Sequence, residues 1–530
     1  MRAAIGVTVL LILGVGVIPL RVGAVQQPAY DLLIQNALVV DGTGSPGRTM
    51  DIAIKDGRIA KVGALGTAGA AARLDARGLV AAPGFIDVHT HADDLGSRPQ
   101  AENFIRMGVT SVVAGNCGSS ALAVGEAFDR IREATVAVNF ATLIGHNTVR
   151  TAVMGRAERA PTLAELDRMK SLVYTAMVDG AVGFSTGLQY VPGTYARSNE
   201  IIELARVAAN EGGLYATHMR NEGTDLEASV RESINVARTL DMGLQISHLK
   251  VDSPNRWGAS AAALALIDEA RARGLRVEAD QYAYSAASSS LSIRFPAWAL
   301  EGDAASVRDR LNDPPVWAKI KKEIQGLLAE RGFTDLSWAT VASYRTDPTL
   351  NGLSMKDVAT KLLGAATADA QIEAARLLML GGGASMVYHL MGDADIERIM
   401  RHPMVAVASD AGVLEPGAGV PHPRGYGNNA RVLGEYVRER KILPLEEAVR
   451  KMTSLPAQHF GLAGRGVIRE GAAADLVLFD AARVRDAATY ERPHAFPDGM
   501  PHVLVNGTFV VRDGKATGAR PGQVLRRDRK

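Results

Sequence analysis

The spacing of hydrophobic and polar positions changes twice along the chain. Over residues 31–62 apolar and polar residues alternate in short runs, which is typical of half-buried strands. The dipeptide Asp56-Gly57 separates two of these runs and predicts a tight hairpin. The alternation returns at residues 474–479, and Asn506-Gly507 predicts a second hairpin. We therefore expect the two chain ends to form one small β-sandwich domain.

The middle of the chain has a different pattern. Short apolar runs are separated by helical stretches, which predicts repeated βα units on a parallel sheet. Eight candidate strands end near His91, Cys117, Ile144, Ser185, His218, His248, Tyr282 and Asp410. Their spacing suits a (β/α)8 TIM-like barrel, in which about 250 residues make eight repeats. The predicted fold class is therefore α/β.

One interval is too long for a single repeat, because 128 residues separate Tyr282 from Asp410. We expect an insertion at about 285–400, which begins with a Ser/Ala-rich loop at 285–292 and is helical over 304–331. The predicted organisation is a signal peptide (1–24), the first part of the β domain (29–83), the barrel with its insertion (84–465) and the second part of the β domain (466–525).

Composition is that of a globular protein, with 47% hydrophobic and 22% charged residues among 530. The 59 Lys and Arg residues nearly balance the 57 Asp and Glu residues, which leaves a formal charge of +2. Such a balance gives no general attraction to nucleic acid. We expect a small-molecule substrate and no nucleic-acid partner, and the oligomeric state stays open.

The amino-terminal segment has the features of a secretory signal. Arg2 precedes an apolar run over residues 3–20, and Val22-Gly23-Ala24 is a small-residue cleavage site. An uncleaved anchor helix is the alternative, but the run contains Pro19 and is short for the ~20 residues that cross a bilayer. We expect cleavage after Ala24, a secreted or periplasmic protein, and no stable membrane anchor afterwards.

Two histidines close the first predicted barrel strand. His89 and His91 are alternate residues, so their imidazoles point to the same side and form half of a metal site. Two polar residues in a barrel mouth would be the simpler interpretation of this pair taken alone.

Three further donors follow later strands. Cys117, the only cysteine, lies between glycines after an apolar run, and His218 and His248 end strands one repeat apart. Each alone is compatible with a buried structural residue. Together with His89 and His91 they line one mouth of a barrel, where catalytic sites are built. Imidazoles and a thiolate suit Zn²⁺, so we expect one or two zinc ions.

Asp410 closes the eighth predicted strand. A carboxylate beside an activated water can take up a proton and later return it to a leaving amine. A helix-capping aspartate is the alternative.

Several motifs together resemble a known family. They are Gly84–His91, Gly115–Gly118, Thr217–Gly223, Ser247–Lys250, Asp280–Tyr284, Ser409-Asp410 and His422–Gly427, and they extend over nearly the whole mature chain. The combination resembles the N-acyl-D-amino-acid deacylases (D-aminoacylases) of the amidohydrolase superfamily. The resemblance implies a (β/α)8 barrel, a β domain from both chain ends, zinc bound by His89, His91, Cys117, His218 and His248, and Asp410 as the catalytic residue.

The resemblance also implies a binding site for the substrate carboxylate, with Lys250, Arg294, and Tyr190 or Tyr284 as candidates. Two departures flank this site. Relatives commonly have Tyr-Pro-Tyr where this chain has Tyr282-Ala283-Tyr284, and Tyr-Gly-Thr-Phe-Pro-Arg where it has residues 426–431.

Three competing activities fit parts of the sequence. A serine hydrolase would use Ser185 in Gly183–Gly187, but a nucleophile elbow runs from strand directly into helix, whereas Pro192-Gly193 predicts a loop. A cyclic amidohydrolase of hydantoinase or dihydroorotase type usually carries a modified lysine on strand four, which has none here. A dipeptidase-like amidohydrolase is the third. We expect zinc-dependent hydrolysis of N-acyl-D-amino acids to a carboxylic acid and a D-amino acid.

Overall fold

The computed structural model describes residues 1, 3–6, 8 and 29–527. The predicted cleavage site after Ala24 and most of the predicted signal peptide lie outside these residues. Within the described part of the chain, no helix has the length and apolarity needed to cross a membrane.

Five strands begin the continuous part of the chain: β1 (Tyr30–Val39), β2 (Arg48–Lys55), β3 (Arg58–Gly63), β4 (Ala70–Asp75) and β5 (Val80–Pro83). Strands β2 and β3 are antiparallel neighbours joined by Asp56-Gly57. Both turn residues have positive φ, 50° and 73°, as a tight hairpin of this kind requires. The first predicted hairpin is confirmed.

The next strands are β6 (Phe85–Asp87), β7 (Thr90–His91), β8 (Val109–Ala114), β9 (Asn139–Thr142), β10 (Ile144–Gly145), β11 (Gly183–Gly187), β12 (Leu214–His218), β13 (Leu244–Ile246) and β14 (Val277–Gln281). Strands β6, β8 and β9 form one parallel sheet, and β10 to β14 form another in sequence order. The strands follow the predicted positions closely, because buried parallel strands are continuous apolar runs.

Helices separate these strands: α1 (Glu102–Arg106), α2 (Val124–Ala134), α3 (His146–Met154), α4 (Leu163–Asp179), α5 (Ser198–Asn210), α6 (Leu226–Leu240) and α7 (Ser260–Ala272). The longest of them, α4, begins with a capping box in which Thr162 and Glu165 satisfy each other's backbone N–H groups. It ends at Gly180, whose φ of 112° continues no helix.

The insertion contains β15 (Ala286–Ser290), α8 (Ala304–Asn312), α9 (Pro314–Glu330), β16 (Ala339–Ser343), α10 (Met355–Leu363), α11 (Ala368–Leu380) and β17 (Ser385–His389). One sequence expectation is wrong here. The predicted loop 285–292 contains β15, which pairs antiparallel with β17 far along the chain. The predicted helical part over 304–331 is confirmed, and it consists of two helices because Asp313 caps α9 and Pro314 begins it.

After the insertion come α12 (Asp393–Arg401), β18 (Val405–Val407), β19 (Ala411–Gly412), α13 (Arg424–Arg431), a π-helical turn (Val432–Glu439), α14 (Leu445–Met452) and α15 (Ser454–His459). Strand β18 extends the parallel sheet beside β14, and β19 pairs in parallel with β7. The chain therefore runs beside β14 at β18 and beside the strand that ends at His91 at β19.

The chain closes with β20 (Leu476–Phe479), β21 (His502–Val505), β22 (Thr508–Arg512) and β23 (Lys515–Ala516). Asn506-Gly507 joins β21 to β22, which confirms the second predicted hairpin. Strand β20 pairs antiparallel with β5, so that both chain ends share one nine-stranded sheet around buried residues such as Ile34 and Leu504. The fold is therefore mixed α/β, with parallel strands between the two halves of a largely antiparallel sheet.

Candidate active site

The six residues predicted to carry the chemistry meet at the carboxyl ends of the parallel strands. They are His89 after β6, His91 at the end of β7, Cys117 after β8, His218 at the end of β12, His248 after β13, and Asp410 between β18 and β19. All except His91 are buried. Because the carboxyl ends of parallel strands meet at one edge, residues separated by more than 300 positions become neighbours.

One group of donors surrounds the cysteine. The Cys117 Sγ lies 3.2 Å from the Nε2 of His89, 3.6 Å from the Nε2 of His248 and 3.9 Å from the Nδ1 of His218. Burial opposes ionisation of this thiol, but the charge of His89 and the contacts with the other two histidines hold its pKa well below the ordinary value. Cys117 is therefore suited to act as a thiolate ligand.

A second group surrounds the aspartate. The Oδ1 of Asp410 lies 3.1 Å from the Nε2 of His91 and 3.5 Å from the Nε2 of His89. His89 thus faces both groups. Within the trios His89–Cys117–His248 and His89–His91–Asp410 the donor atoms lie within 4.8 Å of one another, close enough for one ion to bind all three. Nitrogen, sulfur and carboxylate donors in such clusters fit Zn²⁺.

The outer nitrogens of these histidines also have partners. Asp280, near the end of β14, accepts from the Nδ1 of His89 at 3.0 Å and from the backbone N–H of His248 at 2.7 Å. A carboxylate on the outer nitrogen leaves the inner nitrogen free to bind a metal. Asp280 therefore orients two candidate ligands from one position.

The outer nitrogens of His218 and His248 have side-chain partners of their own. The Nε2 of His218 lies 2.8 Å from the Oε1 of Gln189, and the Nδ1 of His248 lies 3.0 Å from the Oε1 of Glu222. Glu222 is itself buried, and its negative charge is balanced by nearby Lys250. Each imidazole thus has a fixed orientation before any ion binds.

Backbone strain is concentrated at the same place. Cys117, His248 and Asp410 have φ values of 53°, 34° and 51°, in the left-handed region that disfavours residues other than glycine. Such conformations cost of order 1 kcal/mol or more each and persist where the surrounding structure imposes them. The sharp turns direct these three side chains toward one another after their strands end.

Asp410 is held in its ionised form by an arginine. The guanidinium of Arg424, at the start of α13, lies 2.8 Å from the Oδ2 of Asp410. Burial alone would raise the pKa of this carboxyl, but Arg424 and the imidazole of His89 hold it well below the ordinary value. Asp410 can therefore accept a proton from water at neutral pH.

A cavity of about 760 Å³ opens onto this cluster. Its wall includes His91, Cys117, Tyr190, Asp410 and Arg424. The volume is in the range of small-molecule sites. A much smaller cleft, which also shares Tyr190 and Asp410, is lined by Lys250, Tyr282 and Arg294.

The substrate-binding candidates differ in their surroundings. Lys250 is buried and donates to Glu222 at 2.7 Å, so its charge already has a partner. Arg294 is 8% exposed, and within residues 29–527 it forms no ion pair with a carboxylate. Its guanidinium instead lies over the ring of Tyr388, 4.3 Å from the centroid. Arg294 is the unpaired buried cation of this cleft.

The two tyrosine candidates are separated by the structure. The hydroxyl of Tyr190 lies 3.2 Å from the Nδ1 of His218, inside the main cavity. Tyr284 instead donates to Asp486 at 2.7 Å and lines neither the main cavity nor the small cleft. Tyr282, two residues earlier, lines the small cleft, and its buried hydroxyl has no hydrogen-bond partner in the part of the chain that the structure describes. The structure thus puts Tyr282 where the sequence interpretation had Tyr284.

Four other residues belong to the sequence motifs but had no predicted role: Glu222, Asp280, Tyr282 and Arg424. Each follows a parallel strand or lies in a segment after one, and this position was the only sequence feature that could have indicated a role in the site. Their partners are far away in sequence, so the pairing itself could not be seen.

Ser185 has a structural position. It is fully buried on β11, where its hydroxyl accepts from the N–H of Gly118 at 3.1 Å and donates to the carbonyl of Gly115. Both partners flank Cys117. A Cβ on Gly118 would lie 2.3 Å from the Oδ1 of Asn147, so this loop requires glycine. Ser185 therefore holds the cysteine loop and does not face the cavity as a nucleophile.

Histidines, a cysteine and an aspartate at the carboxyl ends of parallel strands define a metal-dependent hydrolase site. The amidohydrolase family model matches residues 73–511. The chain is 39% identical to the N-acyl-D-glutamate deacylase of Alcaligenes xylosoxydans xylosoxydans, over 95% of this chain and 98% of that protein. It is 37% identical to the D-aminoacylase of the same organism, over 94% of this chain and 98% of that protein. The chain belongs to the amidohydrolase family, among the N-acyl-D-amino-acid deacylases, and the resemblance inferred from the sequence is confirmed.

Solved structures agree. The N-acyl-D-glutamate deacylase of Bordetella bronchiseptica, in complex with zinc and a phosphonate mimic of the tetrahedral intermediate, superposes with a TM-score of 0.80 at 36% identity, covering 94% of this chain and 99% of that one. A D-aminoacylase structure gives a TM-score of 0.81 at 35% identity, covering 94% and 100%. An L-hydantoinase from Arthrobacter aurescens shares only the fold, at 17% identity and a TM-score of 0.54.

Proposed function

We propose that this enzyme hydrolyses the amide bond of N-acyl-D-amino acids and releases a carboxylic acid and a D-amino acid. The observation that carries the proposal is the Asp410 carboxylate, which pairs with Arg424 and faces the imidazole and thiol cluster inside one cavity. The D configuration follows from the relatives, which are named as deacylases of N-acyl-D-glutamate and N-acyl-D-aspartate and as a D-aminoacylase.

The proposed cofactor is zinc, one or two ions, held by His89, His91, Cys117, His218 and His248, with Asp410 beside them. Two donor groups that share His89 are compatible with either number. A related D-aminoacylase is described as having a binuclear metal centre. When bound, zinc would supply Lewis-acid activation of water and of the scissile carbonyl.

Asp410 is the proposed proton carrier. As a carboxylate it takes a proton from the attacking water, and as a carboxylic acid it gives that proton to the departing amine. Arg424 favours the ionised state before the reaction, and His91 orients the other oxygen. The proton therefore ends on the nitrogen of the amino-acid product.

Arg294 is the group that we expect to bind the substrate carboxylate. Burying a guanidinium without a counter-ion is costly, so an anionic ligand is the natural partner for it. The Tyr282 hydroxyl and the Lys250 ammonium line the same cleft and can add hydrogen bonds. Tyr190, between the cleft and the metal cluster, would contact the acyl-amino group. Tyr284 is not proposed to touch substrate.

Two features of the fold belong to the same proposal. We infer that the parallel strands close into a (β/α)8 barrel. The pairings β14 with β18 and β19 with β7, together with the hydrogen bond from the N–H of Asp410 to the carbonyl of His89, support closure between the last and first strands. We also infer that the nine-stranded sheet of the chain ends wraps its own core as a small β-sandwich.

Export remains part of the proposal as well. The basic and apolar amino-terminal segment with Val22-Gly23-Ala24 supports a secreted or periplasmic location. Amino-terminal sequencing of the protein recovered from a bacterial periplasm would test it. Retention of residues 1–24 in that material would contradict it.

The hydrolysis is tested with a substrate panel on zinc-loaded enzyme. The panel pairs N-acetyl-D- and N-acetyl-L-amino acids with apolar, acidic and basic side chains, and adds hydantoin and dihydrouracil. We expect turnover of one or more N-acetyl-D-amino acids and no ring opening. Activity restricted to the cyclic compounds would assign the enzyme to the cyclic amidohydrolases instead.

A further inference from the structure

One face of helix α13 binds the segment that follows strand β14. Arg424, Asn428 and Arg431 are spaced four and three residues apart, so they lie on the same side of the helix. The guanidinium of Arg424 lies 4.5 Å from the ring centroid of Tyr282, and that of Arg431 lies 4.8 Å from the ring centroid of Tyr284. The two tyrosines are thus each covered by an arginine.

Between the two tyrosines, the helix binds the backbone itself. The N–H of Ala283 donates to the Oδ1 of Asn428 at 2.9 Å, and the Nε of Arg431 donates to the carbonyl of Ala283 at 2.7 Å. Asn428 and Ala283 are both fully buried. Strand β14 has already ended at Gln281, so no neighbouring strand satisfies this peptide. The conformation of the segment therefore depends on α13.

The N–H of Ala283 is a buried donor, and a buried backbone N–H must find an acceptor because water cannot reach it. Asn428 provides that acceptor from α13. The two residues therefore form one hydrogen-bonded unit across the contact between the helix and the segment after β14.

We propose that Asn428 is a positioning residue that sets the place of the Tyr282 hydroxyl in the substrate cleft through the N–H of Ala283. The proposal rests on the function proposed above. The Tyr282 hydroxyl is buried, has no hydrogen-bond partner among the described residues and lines the cleft with Lys250 and Arg294. A shift of this hydroxyl would weaken the binding of the substrate carboxylate and leave the metal cluster intact.

The first test is Asn428→Ala, assayed on the best N-acyl-D-amino acid with zinc content measured in parallel. We expect KM to rise about 5-fold to 20-fold, kcat to change by less than about 2-fold, and zinc stoichiometry to stay constant, as for a loss of uniform binding. Asn428→Asp keeps an acceptor oxygen at the same place, and the Nδ2 that it replaces has no hydrogen-bond partner within residues 29–527. It should retain a KM close to that of the wild type.

The decisive variant is Ala283→Pro, which removes the N–H that Asn428 satisfies. The proline ring carbon would lie where the N–H now donates to the Oδ1 of Asn428 at 2.9 Å, so we expect Ala283→Pro alone to raise KM and Asn428→Ala to cause no further rise in its background. A purely structural role of Asn428 elsewhere in the helix would give the same KM defect in both backgrounds. That result, or an unchanged KM in Asn428→Ala, would overturn the proposal.

Thermal unfolding separates this proposal from the proposed function. The loss of Tm caused by Asn428→Ala should be larger in the wild-type background than in the Ala283→Pro background, whatever the substrate is. An inactive wild type with this coupling would refute the deacylase function and leave the contact between Asn428 and Ala283 standing. If the wild type is active but Asn428→Ala changes Tm and KM equally in the wild-type and Ala283→Pro backgrounds, the positioning role alone is refuted. If Asn428→Ala does not fold, Asn428→Thr replaces it in the same comparison.

Discussion

The Oδ2 of Asp410 is paired with Arg424 at 2.8 Å, while its Oδ1 faces the Nε2 of His91 at 3.1 Å. The two oxygens of one carboxylate thus have separate tasks. One is fixed by a permanent cation, and the other points into the donor cluster. Because the arginine is buried with it, the carboxylate stays ionised in a place where burial alone would protonate it.

Asp410→Asn should retain the fold and lose activity. An amide has nearly the same shape but cannot take up the water proton, so kcat should fall by roughly 10²-fold to 10⁴-fold. Steady-state kinetics with circular dichroism as a fold control measures this. Turnover near that of the wild type would mean that another group carries the proton.

Cys117→Ala should lower zinc occupancy. The cysteine contacts three imidazoles, and a thiolate is a strong zinc donor. Zinc per chain after dialysis, measured by mass spectrometry, should drop, and activity with it. Unchanged stoichiometry and activity would remove Cys117 from the ligand set.

Ser185→Ala should remain active, because the serine hydroxyl is bound to the loop around Cys117 and not exposed to the cavity. Loss of its two hydrogen bonds should lower stability by about 1–3 kcal/mol. Urea unfolding and activity assays on the same preparation distinguish the two effects. Complete inactivation with normal zinc content would revive the serine-hydrolase alternative.

Arg294→Met should weaken binding of substrates that carry a carboxylate. Removing one partner of a desolvated charge pair typically costs about 2–5 kcal/mol, so kcat/KM should fall by roughly 30-fold or more. Methionine preserves apolar contact with the rings of Trp338 and Tyr388 that the arginine covers. An N-acyl amine without the carboxylate should be a poor substrate for both enzymes and insensitive to the change.

The control for this experiment is Arg345→Met, which alters an exposed arginine of the same insertion. It should leave kcat/KM unchanged. A direct contact between Arg294 and the substrate carboxylate would be excluded if kcat/KM fell equally in Arg294→Met and Arg345→Met. It would also be excluded if Arg294→Met lowered kcat/KM equally for the N-acyl amine and the N-acyl amino acid.

Glu278→Gln should abolish a loss of folding stability that the wild type shows as the pH rises. Burial raises the pKa of Glu278 to about 8 from an ordinary value of 4.5, and one of its oxygens has no hydrogen-bond partner in the described part of the chain. Nearby His459 stays neutral, because burial lowers its pKa to about 3. The folded state therefore holds the Glu278 proton more tightly than the unfolded state does.

The sign follows from this difference. The stabilisation that comes from the protonated Glu278 is complete below pH 4.5 and is lost as the pH rises to about 8. Above that pH, Glu278→Gln should be more stable than the wild type by at most about 5 kcal/mol, and near pH 4 the two should match. Denaturation curves across this range test it, with the exposed Glu133→Gln as the control. Parallel curves for wild type and Glu278→Gln would contradict the assignment.

Local patterns in the sequence were sufficient to predict the parallel strands and the donor residues. The alternation of His89 and His91, the glycines beside Cys117 and the turn dipeptides act within a few residues, so they can be recognised without a partner. Parallel strands then bring their carboxyl ends together by rule, which is why the five donors and Asp410 could be assigned to one mouth.

Relationships that cross the chain required the tertiary structure. Strand β15 looks like a loop because its Ser/Ala residues become a strand only by pairing with β17. Tyr282 and Tyr284 would share a face if the strand continued, but β14 ends at Gln281, and the α13 contacts then direct one hydroxyl to the cleft and the other to Asp486.

The charges of the site illustrate the same division. The resemblance to the deacylases implied that Lys250 and Arg294 are near the substrate. Only folding decided that Glu222 neutralises Lys250 while Arg294 is buried without an acidic partner among the described residues. The sequence by itself determined which chemical groups are present and at which strand ends they lie. The tertiary structure decided which charges are compensated, because compensation depends on distances between residues that the chain keeps far apart.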